Sequence, residues 1–103
     1  MTELELELHH LMRSVYDRAK SECGYNALRF KKMLQDHKGL GTAKLLLRSL
    51  TVSDGFVELY IRKRLDLTVE AQILSHPKFW PLFDEVELDT ALRWLAQYNW
   101  KAE

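Results

Sequence analysis

This sequence predicts a compact all-α bundle of five or six short helices, and three observations predict it. Apolar residues recur at spacings of three and four along most of the chain, the period of a helix that buries one face. Only four Gly and two Pro occur in 103 residues, too few to turn a chain of many short strands. Thr, Ser, Asn or Asp precedes most apolar stretches, where a helix needs acceptors for its first amides. Residues 1–103 are read as one helical domain, because a chain of this length supports a single core and little more.

Thr2 and Glu5 have capping-box spacing. Leu4, Leu8, Leu11, Val15, Ala19 and Cys23 then form a stripe, so the first helix spans about 3–22 and stops at Gly24. Leu4, Leu6 and Leu8 also alternate with Glu as in a strand, but the continuation through Leu11, Val15 and Ala19 decides for helix. Asn26 is the expected cap of a second helix, about 26–37, with Leu28, Phe30, Met33, Leu34 and His37 turned inward. Lys38-Gly39-Leu40-Gly41 ends it, and Thr42 caps a third helix, about 42–49, with Ala43, Leu46, Leu47 and Leu50 inward.

Thr51 or Ser53 caps a fourth helix, about 54–63, which buries Phe56, Val57, Tyr60 and Ile61. Asp66 or Thr68 opens a short fifth helix that ends before Pro77. Lys78 to Phe83 reads as an aromatic connector packed on the core. Asp84 and Glu87 start a sixth helix, about 85–98, with Leu88, Ala91, Leu92 and Leu95 on one face and Trp94 and Tyr98 beside it. Trp100 to Glu103 are expected to fray.

Hydrophobic residues make up 47% and charged residues 29%, which places the chain with soluble globular proteins rather than disordered ones. No apolar run approaches the ~20 residues needed to span a bilayer. An acidic start, Thr2 to Glu7, is unlike a signal peptide, and Cys23 alone cannot form an internal disulfide. The expected compartment is therefore a reducing cytoplasm. The net charge of zero hides a gradient: residues 29–64 hold nine Lys/Arg against Asp36, Asp54 and Glu58, while both flanks are acidic. Such a segment can create a local positive field in a neutral molecule.

No catalytic machinery is expected, nor a cofactor or a metal. His9 and His10 diverge by about 100° on a helix, and no second cysteine completes a zinc pair. The acids at Glu3, Glu5 and Glu7, and from Asp84 to Asp89, lie in first helical turns, where the macrodipole accounts for them. Gly39-Leu40-Gly41 is a helix breaker, not a phosphate loop.

The basic segment is the main functional lead. Arg29 and Lys32 share one helix face, Lys44 and Arg48 another, and Arg62, Lys63 and Arg64 close the fourth helix. With the hydroxyls of Thr51 and Ser53 at a helix start, these nine residues are candidates to contact the phosphates of DNA or RNA. The third and fourth helices can also be read as the helix-turn-helix of a sequence-specific DNA-binding regulator, although Asp54, Phe56, Val57 and Glu58 are poor base readers. The other lead is protein association. Leu4, Leu8 and Leu11 on the first helix, with Trp80 and Trp100, are candidates for a partner surface, and the first helix could support a homodimer.

Three runs also carry a resemblance: Tyr16-Asp17-x-Ala19-Lys20-x-Glu22-Cys23-Gly24-Tyr25-Asn26-Ala27, Thr51-Val52-Ser53-Asp54-Gly55-Phe56, and Arg64-Leu65-Asp66-Leu67-Thr68-Val69-Glu70-Ala71. Together they resemble a small all-helical bacterial module with no assigned activity, found alone or at the end of larger proteins, some of them restriction- or nuclease-associated. The similarity covers residues 12 to 98. It implies an accessory role beside DNA-processing or defence proteins, with any larger partner supplied by another polypeptide. The expected function is a non-catalytic adaptor or interaction module, with nucleic-acid contact through the basic segment as an added role.

Overall fold

The computed structural model describes residues 1–100, which form an all-α bundle. Five α-helices follow in order: α1 Glu3–Cys23, α2 Leu28–Leu47, α3 Asp54–Ile61, α4 Val69–Leu74 and α5 Glu85–Gln97. Two 3-10 turns, Leu65–Leu67 and Pro77–Leu82, flank α4. The Cα radius of gyration is 12.5 Å, that of a fully collapsed chain of this length. No helix among the described residues is long and apolar enough to cross a membrane.

Local chemistry sets most boundaries. Thr2, Ser53, Thr68 and Asp84 cap α1, α3, α4 and α5 with their side-chain oxygens, and Asp84 with Glu87 completes a reciprocal capping box. Three helices end alike. Gly24, Lys63 and Asn99 take positive φ after α1, α3 and α5. The next amide in each case bonds back to the last turn, Tyr25 to Ala19, Arg64 to Leu59 and Trp100 to Leu95.

The principal core lies between α1, α2, α4, the second 3-10 turn and α5, where Leu8, Met12, Val15, Leu34, Leu47, Ile73 and Phe79 meet. A second cluster joins Phe56 and Leu65 to Trp94 and Leu95, with Tyr98 and Trp100 packed against it. A third joins Ala19, Leu59 and Leu67. Trp100 therefore packs rather than frays; Lys101 to Glu103 lie outside the described residues.

Several expectations are corrected. Asn26 does not cap α2; its side-chain oxygen accepts the Tyr16 hydroxyl, and Ala27 precedes the helix without a side-chain cap bond. The expected second and third helices form one element broken at a single residue, Lys38. The chain resumes helix three residues before Thr42, so Thr42 is interior rather than a cap, and its buried hydroxyl has no partner among the described residues. Leu28 (62% exposed), Leu50 (99%), Ile61 (65%) and Leu92 (59%) face outward, as do His37, Val57 and Tyr60. In α3 the inward pair is Phe56 and Leu59. An eight-residue helix with apolar residues all round does not declare its buried face by periodicity alone.

Lys38 holds φ 62° and ψ −177°, a region that favours glycine and costs other residues about 1–3 kcal/mol. Among the described residues its ammonium makes only a long bond to the Gln35 carbonyl, at 3.4 Å. Lys38→Gly should therefore raise stability by about 1 kcal/mol after the added unfolded-state entropy is deducted. Urea titration reads it, with Lys38→Ala as the control that removes the side chain and keeps the strain.

Candidate functional site: a groove between α1, α2 and α3

Six of the seven basic mid-chain candidates are paired with carboxylates. Arg29 binds Asp54 at 2.8 Å and Lys32 reaches Asp36 at 3.5 Å. Arg62 pairs with Glu58, donates to the Cys23 carbonyl and lies over the Tyr25 ring. Arg64 binds Asp66 at 3.0 Å and Glu22 at 2.8 Å. Lys44 and Arg48 each hold Glu87 at 2.7 Å. Thr51 is exposed, the Ser53 hydroxyl is taken by its own helix, and Lys63 supplies the left-handed residue that ends α3. Folding carries acids from both flanks to the basic segment: Glu22 comes from α1, and Asp84 and Glu87 from the start of α5.

The exposed residues of α3 are Asp54, Val57, Tyr60 and Ile61, with little to read a base edge. The proposed interface residues mostly face inward. Leu8 is fully buried, Leu4 and Leu11 pack on the core, and Trp100 is half-buried against the second cluster. Trp80 is 39% exposed, with its indole N–H donated to the Ile73 carbonyl at 2.9 Å. The leucine stripe of α1 is therefore largely spent within the protein, with Leu8 fully buried and Leu4 and Leu11 half-buried.

One concavity takes in three of the nine candidates, Arg29, Thr51 and Ser53. A groove of about 560 Å³ runs between the end of α1, the start of α2, the 49–55 turn and α3, a size suited to a small ligand or inserted side chains. Ala19, Phe30, Val52, Phe56 and Leu59 give it apolar walls, and residues 67–70 also belong to its lining. Ser49, Thr51 and the Arg29–Asp54 pair supply polar groups to its lining. Leu28 lines the groove while largely exposed, and the bare Leu50 lies between Ser49 and Thr51, which both line it.

Glu70 belongs to this lining and is 2% exposed. Its Oε2 has no hydrogen-bond partner among the described residues. Burial pushes its carboxyl up to about 7, opposed only by a bond from its own amide. The sequence held a signal for it: Glu70 is the one acid between Leu67 and Leu74, a stretch whose every residue except half-buried Leu74 is buried.

A raised carboxyl pKa has a definite sign in stability. Between about pH 4.5 and 7 the folded state keeps a proton that the unfolded state loses, so rising pH weakens the fold, by about 3 kcal/mol in all. Glu70→Gln should remove most of that slope and gain about 1–2 kcal/mol at pH 8. Urea titrations of both proteins from pH 5 to 8 check this. His9, held below its ordinary value by burial and by His10, Lys38 and Arg13, works in the opposite sense just below pH 6.5 and is common to both proteins.

No group of three or more His, Cys, Asp or Glu that could hold a metal ion occurs among the described residues. Cys23 is half-buried beside the Gly24 cap. Comparison of the chain with family models, with curated proteins and with solved structures returns no match.

Proposed function

We propose that the protein is a non-catalytic interaction module that receives a segment of a partner protein in the groove between α1, α2 and α3. The observation that carries this reading is the groove itself: an open, apolar-walled concavity with Leu28 and Leu50 uncovered beside it. An inserted segment would bury both leucines, each contributing about 1.5–3 kcal/mol when fully covered. The lone Glu70 supports a binding role over chemistry, because Asp54, the other carboxylate of the lining, is bound to Arg29. The resemblance to a restriction- and nuclease-associated module points to a DNA-processing or defence protein as the partner, in a bacterial cytoplasm.

Panning a displayed library of random peptides against the protein tests this. Enriched peptides should shift the backbone amide resonances of Tyr25, Phe56 and Leu67, and Leu50→Asp should weaken them about tenfold. Enrichment of nothing, or of peptides that leave those amides unmoved, would overturn the reading.

A separate observation favours a second reading, contact with a nucleic-acid backbone through residues outside the expected segment. Arg13 on α1 and Lys31 and Lys38 on α2 line a small cleft of about 160 Å³ with His9. Among the described residues its one ion pair is Arg13 with Asp17, at 3.8 Å. If the cleft holds phosphates, retention on DNA should fall with salt, and Arg13→Glu with Lys38→Glu should flatten the salt slope by about 2. Equal retention of wild type and double variant eliminates this reading.

A further inference from the structure

We propose that the small cleft between α1 and α2 is a binding site for a phosphate monoester, a doubly charged terminal phosphate rather than the singly charged link of a nucleic-acid backbone. This rests on the second reading above, phosphate contact at this cleft, and narrows its ligand. His9 and Arg13 stand one turn apart on α1, and Lys31, Leu34, Gln35 and Lys38 recur at helical spacing on α2, so side chains of both helices line one cleft. Arg13 and Lys38 are exposed, and Lys31 is half-buried with its ammonium over the Tyr16 ring. The cations therefore stand at the surface, open to a ligand from solvent. His9 is held below its ordinary value by burial and by His10, Lys38 and Arg13, so charge from both helices acts at one ring.

Charge and size select the ligand. Among the described residues, Arg13, Lys31 and Lys38 have one ion-paired acid, Asp17, which leaves two positive charges for an occupant. A phosphate monoester carries about −1.5 to −2 near neutral pH, whereas a diester carries a single charge. The volume of about 160 Å³ is well under the roughly 300 Å³ at which sites for whole drug-sized ligands begin. It has room for a phosphate group, while whatever bears that phosphate stays outside.

Lys38 points the same way. Its φ of 62° and ψ of −177° lie where glycine is the relaxed residue, and its ammonium gains only the long Gln35 bond among the described residues. The strain is held in place by α1 and α2 touching beside it, where a Cβ on Gly39 would stand 2.4 Å from the His9 Cα. A lysine here costs stability and puts a cation on the cleft. A bound phosphate supplies the charged partner that the described chain does not.

The test titrates methyl phosphate, dimethyl phosphate and chloride into the whole labelled protein at equal ionic strength, following the amide resonances of His9, Arg13, Gln35 and Lys38. Methyl phosphate should saturate these shifts and bind about tenfold more tightly than dimethyl phosphate, with chloride inert. Lys38→Gly and Lys38→Ala should each weaken methyl phosphate about tenfold. The glycine variant should do so while unfolding at higher urea, so that lost binding is not lost fold. Short oligonucleotides with and without a terminal phosphate then identify the source. A phosphorylated strand that outbinds methyl phosphate assigns a nucleic-acid end, and equal binding of the two assigns a small phosphate ester; either supports the proposal. Equal affinity for the two esters, or for the two strands, overturns monoester recognition and leaves the backbone reading standing. Methyl phosphate binding that both Lys38 variants leave unchanged overturns it too, as does the absence of any saturable shift. If DNA retention is then also indifferent to Arg13→Glu with Lys38→Glu, the backbone reading falls with it.

Discussion

Gly39→Ala should destabilise the protein by about 2–4 kcal/mol, read as a fall of roughly 10 °C or more in Tm. On an open helix the same change would stabilise by about 1 kcal/mol. Here α1 crosses α2 so closely that a Cβ on residue 39 would stand 2.4 Å from the His9 Cα and 2.8 Å from its amide nitrogen. Both are backbone atoms of a helix packed into the core, so no side chain can turn away to make room. The helices would have to part by about an ångström, loosening Leu8, Met12 and Leu34 together. Gly55→Ala is the matched control. Its nearest neighbours would lie at 3.8 Å, so it should be neutral or slightly stabilising, and thermal unfolding of the two variants side by side separates packing from propensity.

Glu87→Ala should be comparably severe, about 3 kcal/mol. The Glu87 carboxylate is 1% exposed. One oxygen accepts the Lys44 ammonium at 2.7 Å and the Asp84 amide at 2.9 Å, and the other accepts the Arg48 guanidinium at 2.7 Å. Removing it strands a half-buried ammonium, undoes half of the α5 capping box and unties α5 from the end of α2. Arg48 is well exposed and rehydrates at little cost, which keeps the loss below the upper range for buried pairs. Glu87→Gln keeps an acceptor for the Asp84 amide and should lose about half as much.

The acid limb of the stability profile follows from the same group. Burial alone would raise the Glu87 pKa, but the bonds from Lys44, Arg48 and the Asp84 amide outweigh it and hold the carboxyl below its ordinary 4.5. Its contribution is present above that value and lost as pH falls through the lower, folded one. Glu70 acts oppositely above pH 4.5. Of these two groups, Glu87 weakens the fold as pH falls below 4.5 and Glu70 weakens it as pH rises above 4.5. Glu87→Ala should flatten the lower limb and Glu70→Gln the upper one.

Much of the local structure could be read from the chain. The caps at Thr2 and Asp84, the choice narrowed to Thr51 or Ser53 and to Asp66 or Thr68, the stop at Gly24 and the break near Gly39 depend on residues within a few positions of each other, and so does the all-α class. These are contests between a side chain and its own backbone, and local sequence decides them. Asn26 shows the limit: its side chain could cap α2, but folding brings the Tyr16 hydroxyl to it.

What required the tertiary structure was every question of which charge meets which and which apolar face is covered. A basic middle between acidic ends is a statement about position along the chain. Arg64 meets Glu22 across 42 residues and Lys44 meets Glu87 across 43, so the segregation visible in sequence is neutralised in space. Leu8 and Leu50 are chemically alike, yet one is fully buried and the other 99% exposed, because burial depends on what a neighbouring helix supplies. Glu70 likewise stands in the first turn of α4, where an acid is ordinary, yet the fold leaves it 2% exposed. Capping and propensity act within a turn or two of the chain, whereas burial and Coulomb pairing act through space, and only the assembled fold specifies those distances.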